Sequence, residues 1–297
     1  MNGSPLVPNE HERGGAVSIM EMHNPEQDRE QQAVEKRLSK IRHIMLVLSG
    51  KGGVGKSTVA ANIAVELARG GREVGLLDVD IHGPSIPGML GLEHETVLSH
   101  DASLLPVEFT PNLRVMSIGF LLKGRDDAVI WRGPMKHGVI RQFIADVEWG
   151  ELDYLVVDSP PGTGDEPLSV AQMIGKQAHA VIVTTPQRVS IDDVRKCIDF
   201  CRKVELSVAG IVENMSGFIC PHCGGSVDIF ETGGGKRLAE ESGVPFLGSI
   251  PLDPLVVRSC DNGEPFIVRH ADSAAARAFR GVVERILSKD NEKENNK

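Results

Sequence analysis

The sequence predicts an α/β fold, a single doubly wound and mostly parallel sheet with helices on both faces. Three observations carry this expectation. Short apolar runs of strand length alternate with helical segments between residues 44 and 287, the pattern of strands covered on both faces. The first run leads directly into a glycine-rich loop and then a helix. Three later runs end in, or lead directly into, Asp158, Asp80 or Asn214, at the edge of the sheet where ligands bind in such folds.

Taken in chain order, residues 1–40 are polar, with Pro5, Pro8 and Pro25, and read as a flexible N-terminal arm. Gln31-Gln32-Ala33-Val34-Glu35-Lys36-Arg37-Leu38 has fair helix propensity, so a helix over residues 28–40 is allowed. Strands are expected at 44–48, 74–79, 113–118, 154–158, 180–184, 208–213 and 246–250, each an apolar run of strand length. Helices are expected at 57–68, 134–147, 166–174, 191–204, 234–241 and 273–287, where the spacing is helical. Residues 288–297 are charged and amide-rich and read as a disordered tail. Residues 41–287 thus form one domain without internal repeats.

Composition narrows the function. A chain of 297 residues with 41% hydrophobic content can bury one large core. A net charge of −9 argues against a nucleic-acid surface spread over the protein. No run reaches membrane-spanning length, and the N-terminus lacks the basic-then-apolar order of a signal peptide. A cytoplasmic location without membrane or nucleic-acid partners is the expectation. Five cysteines, an odd number, suggest reduced thiols or metal ligation rather than a disulfide framework.

The loop Gly50-Lys51-Gly52-Gly53-Val54-Gly55-Lys56-Ser57-Thr58 is the most specific signal. Its glycines let successive backbone N–H groups turn towards phosphate oxygens, backed by a helix N-terminus. Lys56 would reach the β- and γ-phosphates, and Ser57 would hold Mg²⁺. A purely structural glycine turn is the alternative, and the strand–loop–helix setting argues against it. The site binds a nucleoside triphosphate. Lys51 lies too early in the loop to duplicate Lys56. In this the loop resembles the deviant Walker A of the MinD/ParA/nitrogenase iron protein class. The resemblance implies that Lys51 reaches the partner subunit's nucleotide, adding charge in trans where the transition state is negative. The chain would then act as a dimeric ATPase.

Tyr154-Leu155-Val156-Val157-Asp158 ends an apolar strand on a carboxylate, so Asp158 is the candidate Walker B acid for Mg²⁺. Ser159-Pro160-Pro161-Gly162-Thr163-Gly164-Asp165 follows as a stiff turn able to sense the γ-phosphate. Asp78 and Asp80, two apart, face the same side of an extended chain. Asp80 is the candidate for orienting the attacking water, and Asp78 for supporting the Mg²⁺ contacts. Helix-capping or loop acids are the plainer reading of both. Asn214 closes the 208–213 strand; the resemblance implies that it flanks adenine together with Pro251 and Asp253 in the loop Ile250-Pro251-Leu252-Asp253-Pro254.

Cys220-Pro221-His222-Cys223-Gly224-Gly225 offers two thiols to one metal centre. Zinc or a [4Fe–4S] cluster takes about four ligands. Two subunits about a two-fold axis would complete the set, and the Lys51 argument already asks for a dimer. Cys197 and Cys201, i and i+4 on an expected helix, are explained by packing, and Cys260 stands alone.

Taken with Asp78–Ser85, Trp131-Arg132-Gly133-Pro134-Met135 and Val212-Glu213-Asn214-Met215-Ser216, these motifs make residues 40–287 similar to the Mrp/ApbC iron–sulfur cluster carrier proteins. The resemblance implies a homodimer that binds ATP and Mg²⁺. It also implies a labile [4Fe–4S] cluster between the two Cys220/Cys223 pairs, received from cluster donors and passed to apo iron–sulfur proteins. Three alternatives remain open from the residues: a positioning ATPase of the MinD or ParA kind, a reductase like the nitrogenase iron protein, and a zinc-bridged structural dimer.

Overall fold

The computed structural model describes residues 25–100, 103–121, 133–220, 223 and 225–295. Its first part comprises α1 (Pro25–Leu38), β1 (Ile41–Ser49), α2 (Lys56–Arg69), β2 (Val74–Asp78) and a short α3 (Ile86–Met89). Next come β3 (Leu98–His100), β4 (Ser103–Leu105), β5 (Val107–Thr110), β6 (Leu113–Ser117), α4 (Gly133–Asp146), β7 (Leu152–Asp158) and α5 (Asp165–Ile174). The last part holds β8 (Ala178–Thr184), α6 (Arg188–Lys203), β9 (Ser207–Ile219), β10 (Ser226–Val227), α7 (Gly234–Ser242), β11 (Phe246–Leu252), α8 (Pro254–Asp261), α9 (Phe266–Arg269) and α10 (Ala274–Asn295).

One nine-stranded sheet runs β10-β9-β8-β1-β7-β2-β6-β5, with β11 also pairing β9. The pairs β1–β7, β1–β8, β2–β7, β2–β6, β8–β9 and β9–β11 are parallel, and these are the seven strands that the apolar runs predict. Among the described residues of this sheet, only β5 and β10 are antiparallel, each at an edge of the sheet order. A separate hairpin pairs β3 with β4. These short pieces carry too few residues to show a period of their own.

Why β1 sits in the middle follows from its residues. Ile44, Leu46 and Leu48 face one core, against α1, α4, α5 and α6. Met45 and Val47 face the other, against α2 and α10. Each fully buried side chain of this kind contributes roughly 1.5–3 kcal/mol, so a strand apolar on both faces belongs where helices cover both.

The helix allowed over residues 28–40 is present, but both ends are docked where flexibility is expected. The second half of the 1–40 arm is α1, a packed helix in which Val34 and Leu38, one turn apart, are each 2% exposed. Arg37 fastens it further, its Nε donating to the Ala145 carbonyl at 3.1 Å and its Nη2 to Ser103 Oγ at 2.8 Å. A polar helix with two anchoring apolar positions resembles a linker in composition, yet it docks. The first 24 residues lie outside the described residues. The 288–297 tail is likewise no disordered end as far as it is described. The α10 helix runs to Asn295, and its buried stripe of Phe279, Val283 and Ile286 continues at helical spacing to Asp290. Asp290 accepts a hydrogen bond from Tyr154 Oη at 3.0 Å, so a charged residue occupies a core-facing position that composition alone does not reveal.

Among the described residues no helix is long and apolar enough to cross a membrane.

Candidate functional site

The parallel strands point their carboxyl ends at one edge, and there the sequence-predicted residues converge. The 50–55 loop leaves β1, whose neighbours β7 and β8 flank it on either side. Gly53 and Gly55 take φ of 79° and 81°, a left-handed conformation that side chains disfavour. Gly50 is needed for space, because a Cβ there would lie 2.5 Å from the Asp193 carbonyl carbon in α6. Val54 is buried, while Gly52 and Gly53 stay exposed, and α2 begins at Lys56 with Ser57 and Thr58 in its first turn. Lys51 is half-buried, and its carbonyl accepts from Ser49 Oγ at 3.0 Å, which pins the loop's entry.

Lys56 is 6% exposed and folds over the strand ends. Its Nζ donates to Asp158 Oδ1 at 2.7 Å and lies 3.5 Å from Asp80 Oδ2 and 3.4 Å from Ser57 Oγ. Asp158, Asp80 and Ser57 are residues assigned above to Mg²⁺ and to the attacking water. The ammonium therefore occupies the centre of an oxygen set suited to a hard divalent cation. Asp158 Oδ2 is buried with no hydrogen-bond partner among the described residues, a costly arrangement that a cation or its waters would relieve. The donor set fits Mg²⁺.

Asp78 is placed differently. Its Oδ1 accepts from the Asp80 N–H at 3.1 Å, and its Oδ2 from Ser117 Oγ at 3.0 Å and the Ile86 N–H at 3.3 Å. Asp78 thereby clamps the 79–86 segment and holds Asp80 towards Lys56. Asp80 in turn accepts from the His82 N–H at 3.3 Å, and His82 Nε2 lies 3.0 Å from Glu166 in α5. The 80–82 segment is thus joined to the first turn of α5 through a side chain to which the sequence assigned no role.

Asp78 and Asp158 stand side by side in the β2–β7 register, both fully buried. Burial pushes Asp78 up to about 8, and the Asp158 charge pushes in the same direction. Burial also raises Asp158, against the opposing charge and hydrogen bond of Lys56. A raised carboxyl keeps its proton in the folded protein after the unfolded chain has lost it. Unfolding then releases protons, and stability falls as pH rises from the ordinary carboxylate range towards about 8. Thermal melts of the nucleotide-free protein across that window are expected to show Tm declining with pH. Saturating Mg²⁺ and nucleotide should flatten the slope by compensating the two carboxylates.

Asn214 packs against the phosphate loop, its Nδ2 donating to the Val54 carbonyl at 2.9 Å. This brace is absent from the sequence reading, which turned the amide towards adenine. Asp253 caps α8, accepting from the Leu255 N–H at 2.9 Å, and Pro251 lies within β11. Pro251 thus lies on the strand next to β9, where Ile250 pairs with Asn214, and Asp253 follows directly after that strand.

The cysteine pair lies at the turn of a hairpin. β9 runs past the end of β8 to Ile219, and β10 returns against Phe218 and Ile219. The Cys220 N–H donates to the Gly225 carbonyl at 2.9 Å and closes the turn. Cys220 is half-buried, Cys223 is exposed, and neither is in a disulfide. A Cβ on Gly225 would approach Cys223 Sγ to 3.3 Å, so this glycine keeps the sulfur accessible. Two reachable thiols in a tight turn fit thiolate ligation of a metal centre. Pro221, His222 and Gly224 lie outside the described residues, as do Trp131 and Arg132. Cys197 and Cys201 are both fully buried in the α6 core; their mutual hydrogen bond and burial hold the Cys197 thiol well above its ordinary range. Cys260 is only half-buried, its thiol raised first by burial and then by the Asp261 charge.

Glu213 was missed. Fully buried at the end of the β8 ladder, it accepts from the Gly233 N–H at 3.0 Å, the Gly235 N–H at 2.5 Å and Ser216 Oγ at 2.5 Å. A signal was present in the run Gly233-Gly234-Gly235, since a Cβ at Gly235 would come within 3.1 Å of Glu213 Oε2.

Comparisons with known proteins identify relatives of this chain. Residues 40–287 match the ParA family described as NUBPL iron-transfer P-loop NTPases. A nucleotide-binding protein of Archaeoglobus fulgidus, solved in complex with ADP, is 41% identical over 84% of this chain and 96% of its own, with a TM-score of 0.73. The cell division ATPase MinD of Pyrococcus furiosus is 24% identical over 83% of this chain and 99% of its own, with a TM-score of 0.58. MinD of Pyrococcus horikoshii, complexed with Mg-ADP, is 24% identical over 82% of this chain and 95% of its own, with a TM-score of 0.60. The two MinD structures share the fold. With the family match over most of its length and the identity to the Archaeoglobus protein, the chain belongs to the NUBPL iron-transfer P-loop NTPases.

Proposed function

We propose that this chain is an ATP-dependent carrier that holds a [4Fe–4S] cluster between the Cys220/Cys223 hairpins of two copies and passes it to apo iron–sulfur proteins. The observation that carries the reading is the continuity of β9. Asn214 on this strand braces the phosphate loop, and six residues further along Cys220 opens the thiol hairpin. The iron-transfer family and the ADP bound by the Archaeoglobus relative support the same assignment.

In the nucleotide step, Lys56 leaves Asp158 for the β- and γ-phosphate oxygens, where its charge is needed most. Bound Mg²⁺ would supply neutralisation of the phosphate charge, with Ser57 and Asp158 holding it. Asp80, freed from Lys56, orients the attacking water, and Asp78 keeps Asp80 in place through its N–H. Lys51 completes the site of the opposite copy, so turnover requires two chains. The substrate cluster is held by thiolates only, each copy giving Cys220 and Cys223. Incoming thiols of an acceptor would replace one side at a time, a ligand exchange that needs no redox change.

Anoxic reconstitution with iron and sulfide tests the reading. Visible absorption from a sulfide-bridged cluster and acid-labile sulfide in proportion to the dimer are expected. Colourless protein holding zinc and no labile sulfide would replace the carrier with a zinc-bridged dimer.

A further inference from the structure

The two ends of the cysteine hairpin are held in different ways, and the difference has a mechanical meaning. Up to Glu213, β9 is clamped on both sides, pairing with β8 at Thr184 and with β11 at Ser249. Beyond Glu213 the β8 ladder stops. The β11 ladder also becomes irregular, because Ile250 pairs with Asn214 and Leu252 with Phe218, so β9 takes four steps while β11 takes two. The extra residues hold two left-handed conformations, Met215 at φ 57° and Gly217 at φ 74°. For Met215, a residue with a side chain, this is a conformation normally avoided and one that marks functional segments. The same segment touches the phosphate loop through Asn214 and the Val54 carbonyl, and a Cβ at Gly55 would meet Met215 Cε at 3.6 Å. It then leads to Cys220.

The far end of the hairpin returns to the clamped part of the sheet. After β10 the chain reaches Gly233 and Gly235 at the start of α7, and both N–H groups are held by Glu213. Ser216 Oγ, inside the irregular stretch, donates to the same carboxylate. One buried side chain therefore joins the regular strand, the irregular stretch and the distal end of the thiol loop.

We infer that Glu213 is a positioning residue: the fixed post against which movement of residues 214–217, set by occupancy of the phosphate loop, changes the geometry of the Cys220/Cys223 hairpin. Asn214 is the input, since its partner Val54 lies in the loop that closes on phosphates. Met215 and Gly217 supply the bend. Without the post, the hairpin's distal end follows its proximal end, and the thiols are carried along without being rearranged. This inference rests on the carrier reading for its purpose, but its geometry concerns the thiols of the nucleotide-bound protein and is tested without a cluster.

The test uses the full chain with reduced thiols and no metal. Alkylation rates of Cys220 and Cys223 by iodoacetamide are followed by mass spectrometry, with and without Mg²⁺ and a non-hydrolysable ATP analogue. Nucleotide is expected to change the Cys220 rate about fivefold in the unmodified chain, the lower end of ordinary allosteric coupling. In Glu213→Gln, analogue affinity and basal ATP turnover should stay unchanged while the nucleotide effect on alkylation disappears. Ser216→Ala, a milder change, should reduce the effect in part and serves if Glu213→Gln does not fold. An undiminished nucleotide response in the folded variants would overturn the inference, as would an unmodified chain whose thiols ignore nucleotide. A chain that shows the response yet assembles no cluster would instead sink the carrier reading and leave the post intact.

Discussion

Replacing Cys220 or Cys223 by Ala is expected to reduce bound iron and acid-labile sulfide to background after anoxic reconstitution, with nucleotide affinity unchanged. The size of the effect follows from the ligand count. A cluster needs about four thiolates, and the hairpin supplies two per chain, so each substitution removes a ligand on both sides of the symmetric site. The neighbouring cysteines cannot compensate. Cys197 and Cys201 are sealed in the core with their thiols hydrogen-bonded, and Cys260 lies on α8. Nucleotide affinity should be spared because the phosphate loop contacts β9 at Asn214, well before the hairpin. Sulfide is the deciding analyte, since a zinc knuckle would lose its metal on the same substitutions but would never have held labile sulfide.

The second large effect concerns the two lysines, which are expected to separate. Lys56→Ala should abolish both nucleotide binding and turnover. It also removes the cation paired with the fully buried Asp158 in the nucleotide-free protein. Breaking a buried pair by deleting one partner costs about 3–5 kcal/mol when the remaining charge persists. Here Asp158 is already raised by burial, so it would take up a proton instead, and the destabilisation should shrink as pH is lowered. Lys51→Ala is expected to leave nucleotide binding intact and lower turnover by about 10³-fold, as for loss of a charge supplied in trans. Mixing Lys51→Ala chains with chains defective in Asp80 should restore part of the turnover, since each mixed dimer retains one complete site. A Lys56 variant that hydrolyses no ATP yet delivers clusters at the normal rate in cells would uncouple the two halves of the account.

Much of the site was readable because its chemistry is local in sequence. The strand–loop–helix around Lys56 and the acid ending β7 are contiguous motifs, and apolar runs marked all seven parallel strands. What escaped depends on packing between distant segments. Nothing in the neighbourhood of Asn214 announces that its amide will reach Val54, 160 positions earlier in the chain. Glu213 looked like an ordinary strand residue until the glycine run at 233–235 was brought against it. Asp78 matched the pattern of a metal-supporting acid, yet its two oxygens are spent on backbone and Ser117 contacts that hold Asp80. The termini misled for a compositional reason: α1 and the end of α10 are mostly polar, and one or two anchoring residues per turn decide whether such helices dock.

The central claim is that thiols from two copies of this chain hold one inorganic centre under nucleotide control. Native mass measurement of the anoxically reconstituted protein, with a non-hydrolysable ATP analogue and with iron and sulfide counted, tests it most directly. A dimer carrying one cluster, about four iron and about four sulfide per two chains, is the expected result. An ATP-loaded monomer with the same metal content per cluster would contradict it.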